Sequence, residues 1–179
     1  MTGTNETIYS IWNTTAGGNS LPSVVGNNAG NYYIGQGPDK AFDQIMNTKY
    51  TNFGVCSLAG PNLIQCGLNT GLYLTLQRGL TLLVSIRFCT GGDLPPRDPF
   101  TITIEGSNEP SNVLPLGTSW SLIYSGSSNL QNVTGRNQCS QNQTYLNNYL
   151  RYSSYRILVT SKRGSEIATQ YSEMELYGY

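Results

Sequence analysis

Phe100-Thr101-Ile102-Thr103-Ile104-Glu105 alternates apolar with polar side chains, the period-two pattern of a strand that buries one face. The pattern recurs on both sides of it. Upstream, Leu72, Leu74 and Leu76 alternate with Tyr73, Thr75 and Gln77. Leu80, Leu82, Val84, Ile86 and Phe88 then fall on one side, with Thr81, Leu83, Ser85 and Arg87 opposite. Downstream, Trp120, Leu122 and Tyr124 share a face, as do Tyr155, Ile157 and Val159. In the closing stretch Ser172, Met174 and Leu176 alternate with Glu173 and Glu175. Helical periodicity is nearly absent. The loop Thr90–Pro99 holds prolines that cannot donate to a ladder, and Gly106–Pro110 and Ser125–Asn129 are further breaks. Short β-prone runs between such breaks read as an all-β sandwich or barrel.

A chain of 179 residues suits one domain. The formal net charge is zero, which gives no attraction for a phosphate backbone and argues against a nucleic-acid partner. No polybasic run suggests a membrane surface, and no apolar stretch is long enough for a membrane span. The polar start Met1–Glu6 does not look like a signal peptide. The expectation is that the numbering begins after a removed signal or inside a longer protein.

Four Cys occur without a C-x-x-C pair, and there is no His to share a metal site; disulfides are expected rather than zinc. Of the three possible pairings we expect Cys56–Cys66, closing a local loop that holds Gly60 and Pro61, and Cys89–Cys139, tying a strand end to a distant loop. Sequons stand at Asn5, Asn13, Asn132 and Asn142. Chance would produce some in a chain rich in Asn, Ser and Thr; beside paired Cys they point to a secreted, extracellular glycoprotein.

Catalysis is hard to assemble. Without His, the Ser-His-Asp and Cys-His arrangements are excluded. A carboxylate pair could come from Asp39, Asp43, Glu105, Glu173 or Glu175, but such acids more often cap turns, hold calcium or face solvent. No Gly-rich phosphate loop follows a strand. A non-enzymatic protein is expected.

Gly37-Pro38-Asp39-Lys40-Ala41-Phe42-Asp43-Gln44-Ile45-Met46-Asn47-Thr48-Lys49-Tyr50-Thr51-Asn52-Phe53-Gly54 resembles the opening of galactose-binding-like domains, Ala-x-Asp-Gly-x-x-x-Thr-x-Trp. Ala41, Asp43 and Thr48 match, Gln44 replaces the Gly and Tyr50 the Trp. The likeness continues through Asp93–Pro99, Thr101–Asn108, Trp120–Gly126, Tyr155–Val159 and Tyr171–Gly178. The chain is thus similar to the galactose-binding-like, discoidin-like (coagulation factor type C) jelly-roll family. That resemblance implies an eight-stranded antiparallel jelly-roll β-sandwich over residues 37–179, with ligands held by loops at one end. It also implies a structural calcium held by the carboxylates of Asp43 and Glu173, by Thr48, and by main-chain oxygens of Ala41, Ile45 and Ser172; oxygen donors with two anions suit that ion. The other reading is that Asp43 caps a turn and Glu173 pairs with a cation such as Lys40. Arg97-Asp98 could grip a sugar; a structural ion pair is the favoured reading, because in the relatives this stretch packs against the sandwich.

Residues 1–36 are expected to form an N-terminal tail rich in Gly, Asn, Ser and Thr. Within it Thr7–Trp12 is strand-prone, with Ile8 and Trp12 on one face and Tyr9 and Ile11 on the other. An ordered polar tail must satisfy its backbone somewhere, on its own sandwich or on a neighbouring copy. The main expectation is a structural or adhesive module that self-assembles into a fibre or array through this segment, its partners being other copies of itself. The alternative is a lectin-like, carbohydrate-binding module with a loop-borne glycan site; sugar-binding surfaces and protein interfaces both favour tyrosine, of which there are 13.

Overall fold

A computed structural model describes residues 6–141 and 143–179. Its strands form two layers, as segments with one face to hide must. The larger is a six-stranded sheet in the order β2 (Leu21–Pro22), β1 (Thr7–Trp12), β6 (Thr70–Thr75), β11 (Ser154–Lys162), β8 (Pro99–Ser107) and β9 (Ser121–Ser127). The facing layer has two parts. One runs β10 (Thr144–Tyr145), β7 (Leu83–Cys89), β13 (Glu173–Gly178); the other runs β12 (Thr169–Tyr171), β5 (Tyr50–Asn52), β4 (Asn31–Tyr32), β3 (Val24–Val25). Neighbours pair antiparallel, except β3 with β4. β12 and β13 are one stretch of chain that changes partner at Ser172, from β5 to β7, and so joins the two parts. Between the layers, Leu72, Leu74, Ile102, Ile104, Tyr155, Ile157 and Val159 meet Tyr50, Leu83, Ile86, Phe88, Tyr171, Met174 and Leu176. Disulfides join Cys56 to Cys66 and Cys89 to Cys139.

Two bulges alter the alternation read from sequence. Opposite β13, Leu83 and Ser85 face Gly178 and Tyr177, so Val84 has no partner. An extra residue flips the phase of a strand: Leu83 enters the core while Leu80 is exposed. In β9 the register skips Ile123 between Leu122 and Tyr124. Ile123 and Tyr124 therefore both lean on the main core, whereas Trp120 is buried against Leu114 and Leu158 and Leu122, opposite Glu105, is exposed; the three do not share a face. β8 differs for another reason: Thr103 and Glu105 are as hidden as Ile102 and Ile104, because the outer face of the large sheet is covered too.

That cover comes from the N-terminal segment, which finds its partners in its own chain and lends no support to the expected grip on a neighbouring copy. β1 pairs with β6 of its own chain from Thr7↔Thr75 to Ile11↔Gly71. Ile8 packs on the main core and Ile11 joins Tyr73, Leu114, Trp120 and Leu158 in a second cluster. Tyr9 stacks on Tyr73 at 4.9 Å. The Trp12 indole lies so close to Gly30 that a Cβ there would fall 2.5 Å from its ring. The backbone and side chains of the segment are thus satisfied within the chain. Further along, Ser10 Oγ lies 2.6 Å from the Tyr50 hydroxyl, and Asn52 Nδ2 donates to that hydroxyl at 2.9 Å and to Ser23 Oγ at 3.0 Å. Residues 7–32 supply β1 to β4, so the strands continue across the expected boundary at residue 37.

Under this cover lies a fully buried ion pair. Glu105 and Arg156 are cross-strand partners, and Arg156 donates through Nε and Nη2 to the two Glu105 oxygens at 2.6 and 2.9 Å. Its Nη1 donates to Gly18 O at 2.9 Å, Gly17 N donates to Glu105 Oε1 at 2.7 Å, and the guanidinium carbon sits 4.9 Å from the Trp120 ring centre. A buried pair is tolerable only when its remaining hydrogen-bonding groups are met, and removing one partner typically costs about 3–5 kcal/mol. Arg156→Leu should accordingly lower unfolding free energy by about that amount in urea titration. A loss below about 1 kcal/mol would mean that the pair behaves like an exposed one.

Candidate functional site

Of the six residues set out for calcium, Asp43, Ile45, Thr48 and Glu173 lie together. The turn after the 3-10 segment Pro38–Ala41 brings Asp43 against the first residue of β13, Glu173. Ile45 N–H points at both carboxylates, 3.0 Å from Asp43 Oδ1 and 3.1 Å from Glu173 Oε1. Thr48 Oγ1 lies 2.8 Å from each Asp43 oxygen and 2.8 Å from Ile45 O. Gln44, in the position where the family has Gly, holds φ at +61°, a left-handed conformation that disfavours a side chain. Ala41 and Ser172 are completely buried beside this turn and this strand. Lys40 binds Asp39 at 3.2 Å and Asp43 at 3.4 Å, so it meets the Asp43 carboxylate rather than pairing with Glu173.

Two carboxylates in contact cannot both stay charged cheaply. Burial, then the hydrogen bond and charge of Asp43, push Glu173 up to about 7. Burial also works against the Asp43 charge, but hydrogen bonds from Thr48 and Ile45 offset it and hold that carboxyl below its ordinary value. The two carboxylates and the Thr48 and Ile45 oxygens are the hard donors that calcium takes; the Ile45 N–H and the Lys40 ammonium already meet those carboxylates, and an ion would have to displace Lys40 from Asp43. Bound there, the ion would replace the proton on Glu173 and tie the 43–48 turn to β13. A second grouping does not fit a metal: a Glu175 oxygen lies within 4.8 Å of the Cys89 and Cys139 sulfurs, but those sulfurs are bonded to each other.

Other residues singled out from sequence have structural partners. Arg97 and Asp98 do not pair together: Arg97 binds Glu166 at 3.2 Å, while buried Asp98 takes two bonds from Arg136, at 2.7 and 2.8 Å, and meets Arg163 at 3.3 Å. Tyr50, in the Trp position, is buried at the centre of the Ser10–Asn52 network. Asn13 and Asn132 are exposed; Asn5 and Asn142 lie outside the described residues. At the loop end of the sandwich, Lys49 binds Asp93, and Gln170 donates to Asp93 Oδ1 at 2.9 Å and accepts from Lys49 at 3.0 Å, so these groups largely satisfy one another.

No protein-family model matches the chain, and no curated protein does. Solved structures do. The CBM32-3 module of a family 31 glycoside hydrolase from Clostridium perfringens aligns over 80% of this chain and 83% of its own, at 15% identity and TM-score 0.57. A family 32 carbohydrate-binding module of NanJ from C. perfringens, solved with galactose, aligns over 81% and 87% at 12% identity and TM-score 0.55. Chitosan-binding module 1 from a chitosanase/glucanase of Paenibacillus sp. IK-5 aligns over 99% and 100% at 14% identity and TM-score 0.56. The chain has the galactose-binding-like jelly-roll fold of carbohydrate-binding modules.

Because Glu173 has its folded pKa raised from 4.5 to about 7, folding favours its protonated form. The contribution is fully present below pH 4.5 and is lost as pH rises to about 7. In chelator, the melting temperature should fall across that window, and Glu173→Gln should flatten the fall. An identical slope in the variant would show that the carboxyl pair is not its source.

Proposed function

We propose that this chain is a non-catalytic, calcium-stabilised glycan-binding module of an extracellular protein. The observation that carries the reading is a jelly roll shared over four fifths or more of its length with modules whose work is binding carbohydrate. Fold alone leaves the ligand open; the convergence of Asp43, Thr48 and Glu173 on the turn that the sequence resemblance singled out adds an independent feature. Two disulfides support an oxidising compartment, and exposed Asn13 and Asn132 support glycosylation there. The fibre reading draws no support from the fold, since β1 is occupied by its own sheet.

Two measurements test the proposal. Millimolar calcium should raise the melting temperature at neutral pH by mass action, and Asp43→Ala should abolish the rise; no shift in the intact protein removes calcium from the reading. On a glycan array in calcium, the intact protein should be retained reversibly by a subset of glycans that it leaves uncleaved. Retention by none, or cleavage of those bound, would end the proposal.

A further inference from the structure

β2 covers only the far half of β1: Ile11 and Trp12 face Pro22 and Leu21, and Ser23 N–H reaches Ser10 O at 2.9 Å. Beside the near half, Thr7 to Tyr9, the surface is hollow. A cavity of about 350 Å³ has Tyr9, Tyr73 and Pro115 in its wall, and one of about 420 Å³ has Glu6, Asp39 and Asp43. Both are lined by Ile8, Tyr32 and Pro38, so they form adjoining sections of one groove.

We propose that this groove binds a linear oligosaccharide of amino sugars, its rings laid on Tyr9 and Tyr32 and its ammonium groups facing Glu6 and Asp39. The inference rests on the glycan-binding reading and gives it a place and a ligand class. Four observations carry it. The Tyr9 side chain is 46% exposed yet fixed in orientation by stacking on Tyr73 at 4.9 Å, which itself leans on Trp120 at 5.8 Å. A held, half-open aromatic ring offers an apolar face to a pyranose with little ordering cost. The hollows together are within the range of ligand clefts and are longer than one sugar needs. With Asp43 committed to calcium, the Glu6 and Asp39 carboxylates stand against the one ammonium of Lys40, so the excess at the acidic section is still negative. Glu6 is already oriented, its Oε2 accepting from Gln77 N–H at 2.7 Å. A cationic sugar chain complements that sign, and a neutral or anionic one does not.

Calorimetric titration of the intact protein with glucosamine hexamer, beside its fully N-acetylated counterpart, tests the assignment. We expect the free-amine chain to bind at least tenfold more tightly, with affinity falling as salt rises. Tyr9→Ala should weaken it tenfold or more and Tyr9→Phe should not. The pair Glu6→Gln and Asp39→Asn should erase the preference for the free amine. Circular dichroism melts establish that each variant is folded, and Tyr9→Phe keeps the ring if Tyr9→Ala is not. Binding of either sugar that ignores the Tyr9 and carboxylate changes overturns the groove and leaves the glycan-binding reading standing. If array and titration both find no glycan bound, that reading falls and the groove with it. Equal affinity for the two hexamers, lost in Tyr9→Ala, overturns the assignment of a cationic, free-amine sugar chain.

Discussion

The buried pair of Glu105 and Arg156 sets the terms on which this sandwich can fold. Two charges at the centre of the large sheet, on the face turned away from the main core, cannot be left to a partly wet surface or to apolar side chains alone. The chain meets the demand with backbone. Gly17 N–H and Gly18 O complete the hydrogen bonds that the carboxylate and guanidinium lack, and the Trp120 ring covers the cation. Thr7–Trp12 runs as β1 beside β6, and the residues that follow it pass from that edge across the sheet face to bring Gly17 and Gly18 to the pair. Once β1 is in place, Ile11 and Tyr73 close a second cluster with Leu114, Trp120 and Leu158. A jelly roll with a bare outer sheet face becomes one buried on both sides.

The same arrangement links fold to function. β1 is only half covered by β2, and the uncovered half makes the groove between Tyr9 and Asp39. Across that groove the Asp43–Thr48 turn meets the beginning of β13, where the chain passes from one part of the second layer to the other. A cation at Asp43 and Glu173 would hold this junction together and remove a repulsion that the apo protein relieves with a proton. On the proposed reading metal and glycan would act on neighbouring ground, one steadying the turn and the other lying along the strand in front of it.

Much of this was legible in the sequence because it depends on local pattern. Ile102 and Ile104, Tyr155, Ile157 and Val159 announce their strands by alternation, and Asp43, Thr48 and Glu173 come together as their motif implies. What could not be read depends on register and on long-range partners. Nothing in Leu80–Phe88 marks Val84 as unopposed, since a bulge is defined by the partner strand. Glu105 and Arg156 each occupy the polar phase of a strand, where solvent is the default expectation; only the register of β8 on β11 makes them opposite, and only the loop at Gly17 makes them dry. Likewise Arg97 and Asp98 are adjacent in sequence, but Arg97 closes the 3-10 turn Pro95–Arg97 while Asp98 opens the extended run into β8, so each finds a different partner. The strand-forming content of Thr7–Trp12 is visible in its residue types, but which sheet edge it joins depends on β6, sixty residues further on.

Native-state amide hydrogen exchange of the intact protein tests the central claim, that residues 7–20 are part of the domain because they seal the ion pair. Gly17 N–H, bonded to Glu105, and the β1 amides bonded to β6 should exchange only with the unfolding of the sheet, at the rates of β8 and β11. Exchange of these amides at the speed of a free peptide, while β8 and β11 remain protected, would contradict it.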